Sequence, residues 1–194
     1  YRKLSDVELA ISICLGIGLA AASGFRIFLP LLALSTAAYF DVIQLSTWEW
    51  LGNWQTLVLL GVASVFEILA YYIPWFDNVL DTIAVPLAAV AGTILFFVSL
   101  GDYGPWVSWS LAIIGGGGTA GLIAGSTAAL RATSSATTLG IANPVFATLE
   151  AIVSTIFSIV AIFIPILAGV LVLLLGYRIY KWYHKRKLKK NSLQ

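Results

Sequence analysis

Charge is what this sequence has least of. Aspartate, glutamate, lysine and arginine make up 10% of its 194 residues, against about 25% in a soluble domain. Hydrophobic residues make up 60%, and mean hydropathy is +0.95. This balance excludes a soluble globular enzyme, a disordered chain and a nucleic-acid binder. It leaves an all-α, polytopic helical membrane protein.

Cysteine and histidine are nearly absent too. Cys14 is the single cysteine, so no disulfide forms within the chain and no thiolate metal site exists. His184 is the single histidine and falls in a basic tail, where solvation is the plain expectation. No nucleophile elbow and no Cys/His cluster is present. The run Gly115-Gly-Gly-Gly118 lacks the lysine and the preceding strand of a phosphate loop. The sequence therefore points to no enzyme, no cofactor and no metal.

The few charges are unevenly placed. Nine of the eleven basic residues lie in the two termini, and only Arg26 and Arg131 stand between Lys3 and Arg178. The intervening loops carry Asp41, Glu49, Asp77 and Asp102. Lysine and arginine accumulate on the cytoplasmic side of a membrane, so both termini are expected there, with an even number of crossings. The tail 178–194 reads as a topology anchor with Trp182 and Tyr183 at the interface, and as a contact for anionic lipid headgroups.

A span needs about 20 mostly apolar residues. Residues 7–23 form the first, read as a span rather than a cleaved signal. Gly24-Phe25-Arg26 interrupts it. Residues 27–40 are apolar but short and suggest a half-helix that enters and returns on one side. Residues 41–54, with Trp48, Trp50 and Trp54, read as an interfacial loop. Residues 55–73 are the next span, and 74–78 a turn in which Asp77 or Asn78 caps the following helix. Residues 79–100 form a span kinked at Pro86. A second interfacial turn, 101–106, precedes a glycine-rich span, 107–130, that ends at Arg131. Residues 132–143 read as polar and irregular. Residues 144–177 are too long for one ordinary span and are expected to fold back near Ser154–Ser158. The sum is about six crossings and two short broken segments.

The two halves also match in order. Gly18 to Arg26 resembles Gly121 to Arg131, Phe66-Glu67 resembles Leu149-Glu150, and Val85-Pro86 resembles Ile164-Pro165. The Arg-to-Glu spacing is 41 residues in the first half and 19 in the second. Three crossings per half predict two inverted repeats, about 7–100 and about 106–178, with a midplane site between them. Gly117, Gly121 and Gly125, echoed by Gly16, Ala20 and Gly24, form small-residue ladders that let helices approach.

A charge at membrane depth costs at least about 2.5–3.5 kcal/mol, so Arg26, Glu67, Arg131 and Glu150 need explaining. One explanation is two Arg–Glu pairs that merely neutralise each other and lock the repeats. The functional one gives Arg26 and Arg131 to an anion, since a guanidinium fork matches carboxylate and phosphate. Seven hydroxyls flank Arg131 between Ser126 and Thr138. Ser126, Thr127, Ser134 and Ser135 join the candidate binding set, with Asn143 as a ligand or helix cap. A glutamate at this depth can exchange a proton, which makes Glu67 and Glu150 candidates for proton coupling. Asp81 reads as a first-turn residue, and Tyr71 and Tyr72 as interfacial belt residues.

At residues 24–30, Gly-Phe-Arg-Ile-Phe-Leu-Pro, and in the glycine-rich region 115–150, the sequence resembles a bacterial domain-of-unknown-function family of small integral membrane proteins. The resemblance implies a bacterial inner-membrane location and no residue roles. In architecture the arginine-ended broken segments are similar to DedA-type lipid translocases. The expected function is a transporter of a small anionic or polar solute, proton-coupled, with a second copy of the chain (a homo-oligomer) as an expected partner. The alternatives are a lipid-phosphate translocase and a structural accessory subunit.

Overall fold

A computed structural model describes residues 6–45, 48–101, 105–138 and 141–191, excepting the side chains at 74–78, 105, 179–180 and 182–191. The expectations for Asp77, Asn78, Asp102, Trp182, Tyr183 and His184 as side chains lie outside the described residues. The elements in order are α1 (Asp6–Ser23), α2 (Phe28–Tyr39), a 3-10 turn (Glu49–Gly52), α3 (Trp54–Ala70), α4 (Pro74–Leu100), α5 (Pro105–Leu111), a π-helical segment (Ala112–Gly117), α6 (Gly118–Thr138), α7 (Asn143–Phe163) and α8 (Pro165–Asn191). No strand occurs among the described residues. This is a polytopic helical membrane protein.

Four stretches are long and apolar enough to cross a membrane: Asp6–Ser23, Val79–Leu100, Trp106–Thr138 and Asn143–Phe163. Three shorter apolar helices accompany them, Phe28–Tyr39, Trp54–Ala70 and Pro165–Arg178. The outer surface is apolar, with Leu59, Phe66, Leu122, Leu130, Phe163 and Leu173 all mostly exposed. Such a surface is stable when hydrocarbon is the solvent.

Packing partners fix the helix directions. Gly16 lies against Phe96, and the Ser23 hydroxyl lies near the Ala88 carbonyl. Helices α1 and α4 are therefore antiparallel. Gly116 lies against Gly92 and Gly121 against Ala89, which makes α4 and α6 antiparallel as well. Helices α1 and α6 thus run parallel. The matched segments ending at Arg26 and Arg131 share one orientation, whereas inverted repeats require opposed ones. The packing corrects that expectation: order of residue types recurs, but the inversion does not follow from it.

Residues 144–177 do not fold back at Ser154–Ser158. Helix α7 runs unbroken to Phe163, and the break falls at Ile164 before Pro165. A residue preceding proline is pushed out of the helical region, and Ile164 sits at φ −136°, ψ 66°. The Ile164 N–H still reaches the Val160 carbonyl, and the Ala168 N–H reaches the Ile164 carbonyl. The ladder crosses the break, so this is a kink and not a hairpin. Ser154 and Ser158 are occupied otherwise. Ser154 donates to the Ala22 carbonyl at 2.9 Å and Ser158 to the Ser154 carbonyl. The contacts Arg26–Ala147, Ala22–Ser154, Gly18–Ala161 and Cys14–Gly169 show α7 and α8 antiparallel to α1 along its length.

Two further boundaries differ. Helix α6 continues through Arg131 to Thr138 instead of dissolving into an irregular segment. Its hydroxyls make this possible: Thr133, Thr137 and Thr138 donate to carbonyls four residues back, at Ala129, Thr133 and Ser134. Bonded within the helix, they no longer compete with it. Helix α4 begins at Pro74, with Ile73 extended at its N-cap. Proline is suited to the first helical position. Asp77 and Asn78 therefore fall inside the helix rather than at its cap, and Asp81 lies beyond the first turn. Helix α4 also continues through Pro86.

The tightest crossing is α4 on the π-helical segment. A side-chain carbon at Gly116 would meet the Gly92 carbonyl oxygen and approach Phe96 Cβ to 2.6 Å. Of the expected ladder, a side-chain carbon at Gly117 would come within 2.6 Å of Thr93 Oγ1, but one at Gly125 would meet open space. Gly116→Ala is expected to destabilise the solubilised protein by about 1–3 kcal/mol, the usual cost of overpacking. Gly118→Ala, with nothing within 4 Å, is expected to leave it unchanged or slightly stabler. Thermal unfolding in detergent distinguishes the two.

Candidate functional site

The chain turns sharply after α1. The N–H groups of Gly24, Phe25 and Arg26 bond back to carbonyls at Ala20, Ala21 and Ala22, and α2 starts two residues later. The first N–H groups of a helix have no partner within it. Here the Ile27 and Phe28 N–H groups donate to the two carboxylate oxygens of Glu67, at 2.8 and 3.0 Å. An anion at a helix N-terminus is also favoured by the helix dipole. Glu67, near the end of α3, is thus the cap of α2.

The same turn delivers Arg26 to the interior, where it is 1% exposed. Its Nη2 donates to the Ala147 carbonyl at 2.8 Å and stands 3.6 Å from Glu150 Oε2. Arg131 of α6 is 2% exposed. Its Nε donates to Glu150 Oε1 at 3.0 Å, and its Nη2 makes a close charge-assisted bond to Oε2. This is a bidentate fork, the strongest geometry for an Arg–carboxylate pair. Arg131 Nη1 lies 3.7 Å from Asp81 Oδ1. Both guanidinium groups lie against the ring of Tyr71, at 3.9 and 4.3 Å from its centroid.

All four intramembrane charges read from the sequence converge. They do not form two separate Arg–Glu pairs. Glu150 serves both arginines, while Glu67 serves backbone N–H groups. A small cavity of about 10 Å³, lined by Ser23, Glu67, Tyr71, Asp81, Thr127, Arg131 and Glu150, lies at the centre. That is room for about one water. Thr127 is therefore in place, although its hydroxyl donates to the Ala124 carbonyl.

The other hydroxyl candidates are elsewhere. Ser126 donates to the Leu122 carbonyl of its own helix. Ser134 is buried and stands 3.5 Å from the Thr138 hydroxyl. Asn143 does not cap α7. Its Nδ2 donates to the Ser135 hydroxyl at 2.9 Å, which straps the α6 end to the α7 start. Ser126 falls on another face of α6, whereas Ser134 and Ser135, three and four residues after Arg131, share its face but stand a turn beyond the cavity.

Two residues of the cluster were assigned otherwise from sequence. Tyr71 is 7% exposed and sits between the helices rather than in an interfacial belt. Asp81 reaches Arg131 because α4 starts at Pro74, a full turn earlier than expected. The residues Tyr71 and Asp81 carry no local signal; only the packing of α3 and α4 onto α6 brings them in. Tyr72 is half exposed, and its hydroxyl is 2.7 Å from that of Thr148. Among the described residues, no group of three His, Cys, Asp or Glu side chains is arranged to hold a metal ion.

A family model described as a domain of unknown function, DUF4126, matches residues 13–184, which contain the whole cluster. No curated protein and no solved structure matches the chain.

If both arginines rest on the Tyr71 ring, the ring matters and the hydroxyl does not. Tyr71→Phe is expected to leave the melting temperature near that of the parent. Tyr71→Leu is expected to lower stability by about 1–4 kcal/mol, two cation–π contacts of about 0.5–2 kcal/mol each. Equal losses in the two variants, measured by thermal unfolding in detergent, would show that the hydroxyl is the essential group.

Proposed function

The chain belongs to the domain-of-unknown-function family DUF4126, and from its buried site we propose that it is a proton-coupled membrane transporter of a small anionic or polar solute. One observation carries this reading. Two arginines from different parts of the chain meet over one aromatic ring and one carboxylate, inside a bundle otherwise poor in charge. Paired guanidinium groups out of water are an anion receptor. Arg26 and Arg131 bind the solute in this reading, Thr127 lines the chamber, and Glu67 and Glu150 are the candidates for proton exchange. Ser126, Ser134, Ser135 and Asn143 do not line the cavity, so this reading rests on the arginines and Thr127.

The site is built on a break in regular helix, the turn at 24–27. Interrupted helices commonly form the binding sites of transporters. We place the protein in the bacterial inner membrane with both termini cytoplasmic. Support comes from the basic termini and from α7 and α8 running antiparallel to α1, which carries the tail toward the end where α1 begins. The tail would rest on anionic lipid headgroups. No covalent chemistry is assigned to the site, so the protein is proposed as a carrier and not an enzyme.

A second reading, a lipid-phosphate translocase, has one observation in its favour. An apolar groove of about 350 Å³ runs between α2 and α7, lined by Leu29, Leu32, Phe40, Ile159 and Phe163. It starts beside the turn that holds Arg26, so a headgroup at the arginines and a chain in the groove are compatible.

Purified protein in proteoliposomes separates these readings. The transporter reading expects uptake of a small anion that falls about tenfold or more in Arg131→Lys, which keeps charge but loses the fork, and in Arg26→Ala. Wild-type flux in both variants overturns it. Scrambling of a phosphate-headgroup lipid without solute uptake replaces it with the second reading.

A further inference from the structure

We propose that Glu150 is a built-in stand-in for the transported anion, and that the site takes a small monocarboxylate together with one proton, the proton going to Glu150. This rests on the transporter reading and names its substrate class.

The first observation is how Glu150 sits. Its two oxygens fill the Arg131 fork, and one of them also faces Arg26. A planar, two-oxygen monoanion is therefore what the arginine pair is shaped to hold, and Glu150 supplies one from the protein. The second observation is independent. Arg26 is 1% exposed, yet its Nε and Nη1 find no hydrogen-bond partner among the described residues. Buried donors left unused are costly. They are the donors of a guanidinium built for more than the Ala147 carbonyl and one shared carboxylate oxygen.

The third is space. The cavity admits about one water, so an incoming carboxylate gains the fork only when Glu150 leaves it. Charge decides when that happens. The groups facing Glu150 are Arg131 from α6, Arg26 from the α1–α2 turn, Asp81 from α4 through Arg131, and Glu67 and Tyr71 from the α3 end. Two guanidinium groups already answer three carboxylates. A fourth carboxylate without a proton would put excess negative charge in a dry site. Glu67 is held by the Ile27 and Phe28 N–H groups, and Asp81 stays with Arg131. Glu150 is the carboxylate whose protonation empties the fork.

The cycle balances. A proton adds to a Glu150 oxygen, forming one O–H bond. The neutral acid withdraws, and the substrate carboxylate takes its place between Arg131 and Arg26. On release the proton leaves Glu150, which returns to the fork. One anion and one proton move together, so transport is electroneutral. A dianion such as phosphate would need a second proton on Glu67, whose oxygens the Ile27 and Phe28 N–H groups already hold.

Pyruvate is the probe, with inorganic phosphate and chloride as comparisons. In the intact protein in weakly buffered detergent, pyruvate binding is expected to take up about one proton per pyruvate, read by a pH dye. This needs no variant. In proteoliposomes an inward proton gradient is expected to drive pyruvate uptake without generating a membrane potential. Glu150→Gln is expected to bind pyruvate about tenfold more tightly, because the competing anion is gone, and to lose both proton uptake and gradient dependence. Pyruvate binding without proton uptake overturns the role of Glu150 and leaves the transporter reading standing. Phosphate or chloride transported in place of pyruvate overturns the substrate class alone. No anion flux of any kind in the parent protein overturns the transporter reading itself.

Discussion

One carboxylate between two guanidinium groups sets the conditions for the rest of the bundle. Taking an ion out of water costs several kcal/mol even after relaxation, and the cost is recovered only when partners are near and well oriented. Arg26 and Arg131 are almost wholly enclosed. The end of α1, the end of α3, the early turns of α4 and α7, and the second half of α6 must therefore meet at one level. Breaking a buried pair by removing one partner costs about 3–5 kcal/mol, so the register of five helices is tied to a few polar contacts.

The backbone makes this meeting possible in two ways. Small residues let the helices come close: Gly92 and Gly116 bring α4 onto the π-helical segment, and Gly18 lies on Ala161 and Ala168. Breaks in the helices are closed by side chains instead of water. Ser154 takes the Ala22 carbonyl at the end of α1, and Glu67 takes the N–H groups at the start of α2. An apolar solvent offers no other partner for such groups. The polar residues of the interior thus fall into two sets, one that repairs the backbone and one that holds charge.

The sequence shows the second set better than the first. Arg26, Glu67, Arg131 and Glu150 stand out because a charge in a long apolar run is rare, and all four reach one cluster. Their pairing was not legible. Which glutamate meets which arginine depends on helix direction, and order along the chain does not encode direction. Tyr71 and Asp81 were hidden for a related reason, since an aromatic or an acid near a helix end has many ordinary explanations. The hydroxyls after Arg131 misled because serine and threonine suit loops in water, whereas in a membrane helix they bond back to its carbonyls. The length of 144–177 suggested a fold-back at the serines, but the chain only kinks, at Ile164 before Pro165.

The members of the cluster are spread widely along the chain, and this bears on how the protein enters a membrane. Arg26 is made early, while Glu150 and the Ala147 carbonyl come only with α7. An arginine held away from water without a partner is costly to place in a membrane. During synthesis Arg26 must therefore wait, unneutralised by Glu150, until most of the chain has emerged. Helices α1 and α2 cannot settle in hydrocarbon as an independent pair. Their stable placement is a late event of biogenesis, and truncation before α7 leaves a charged hinge with no home in the bilayer.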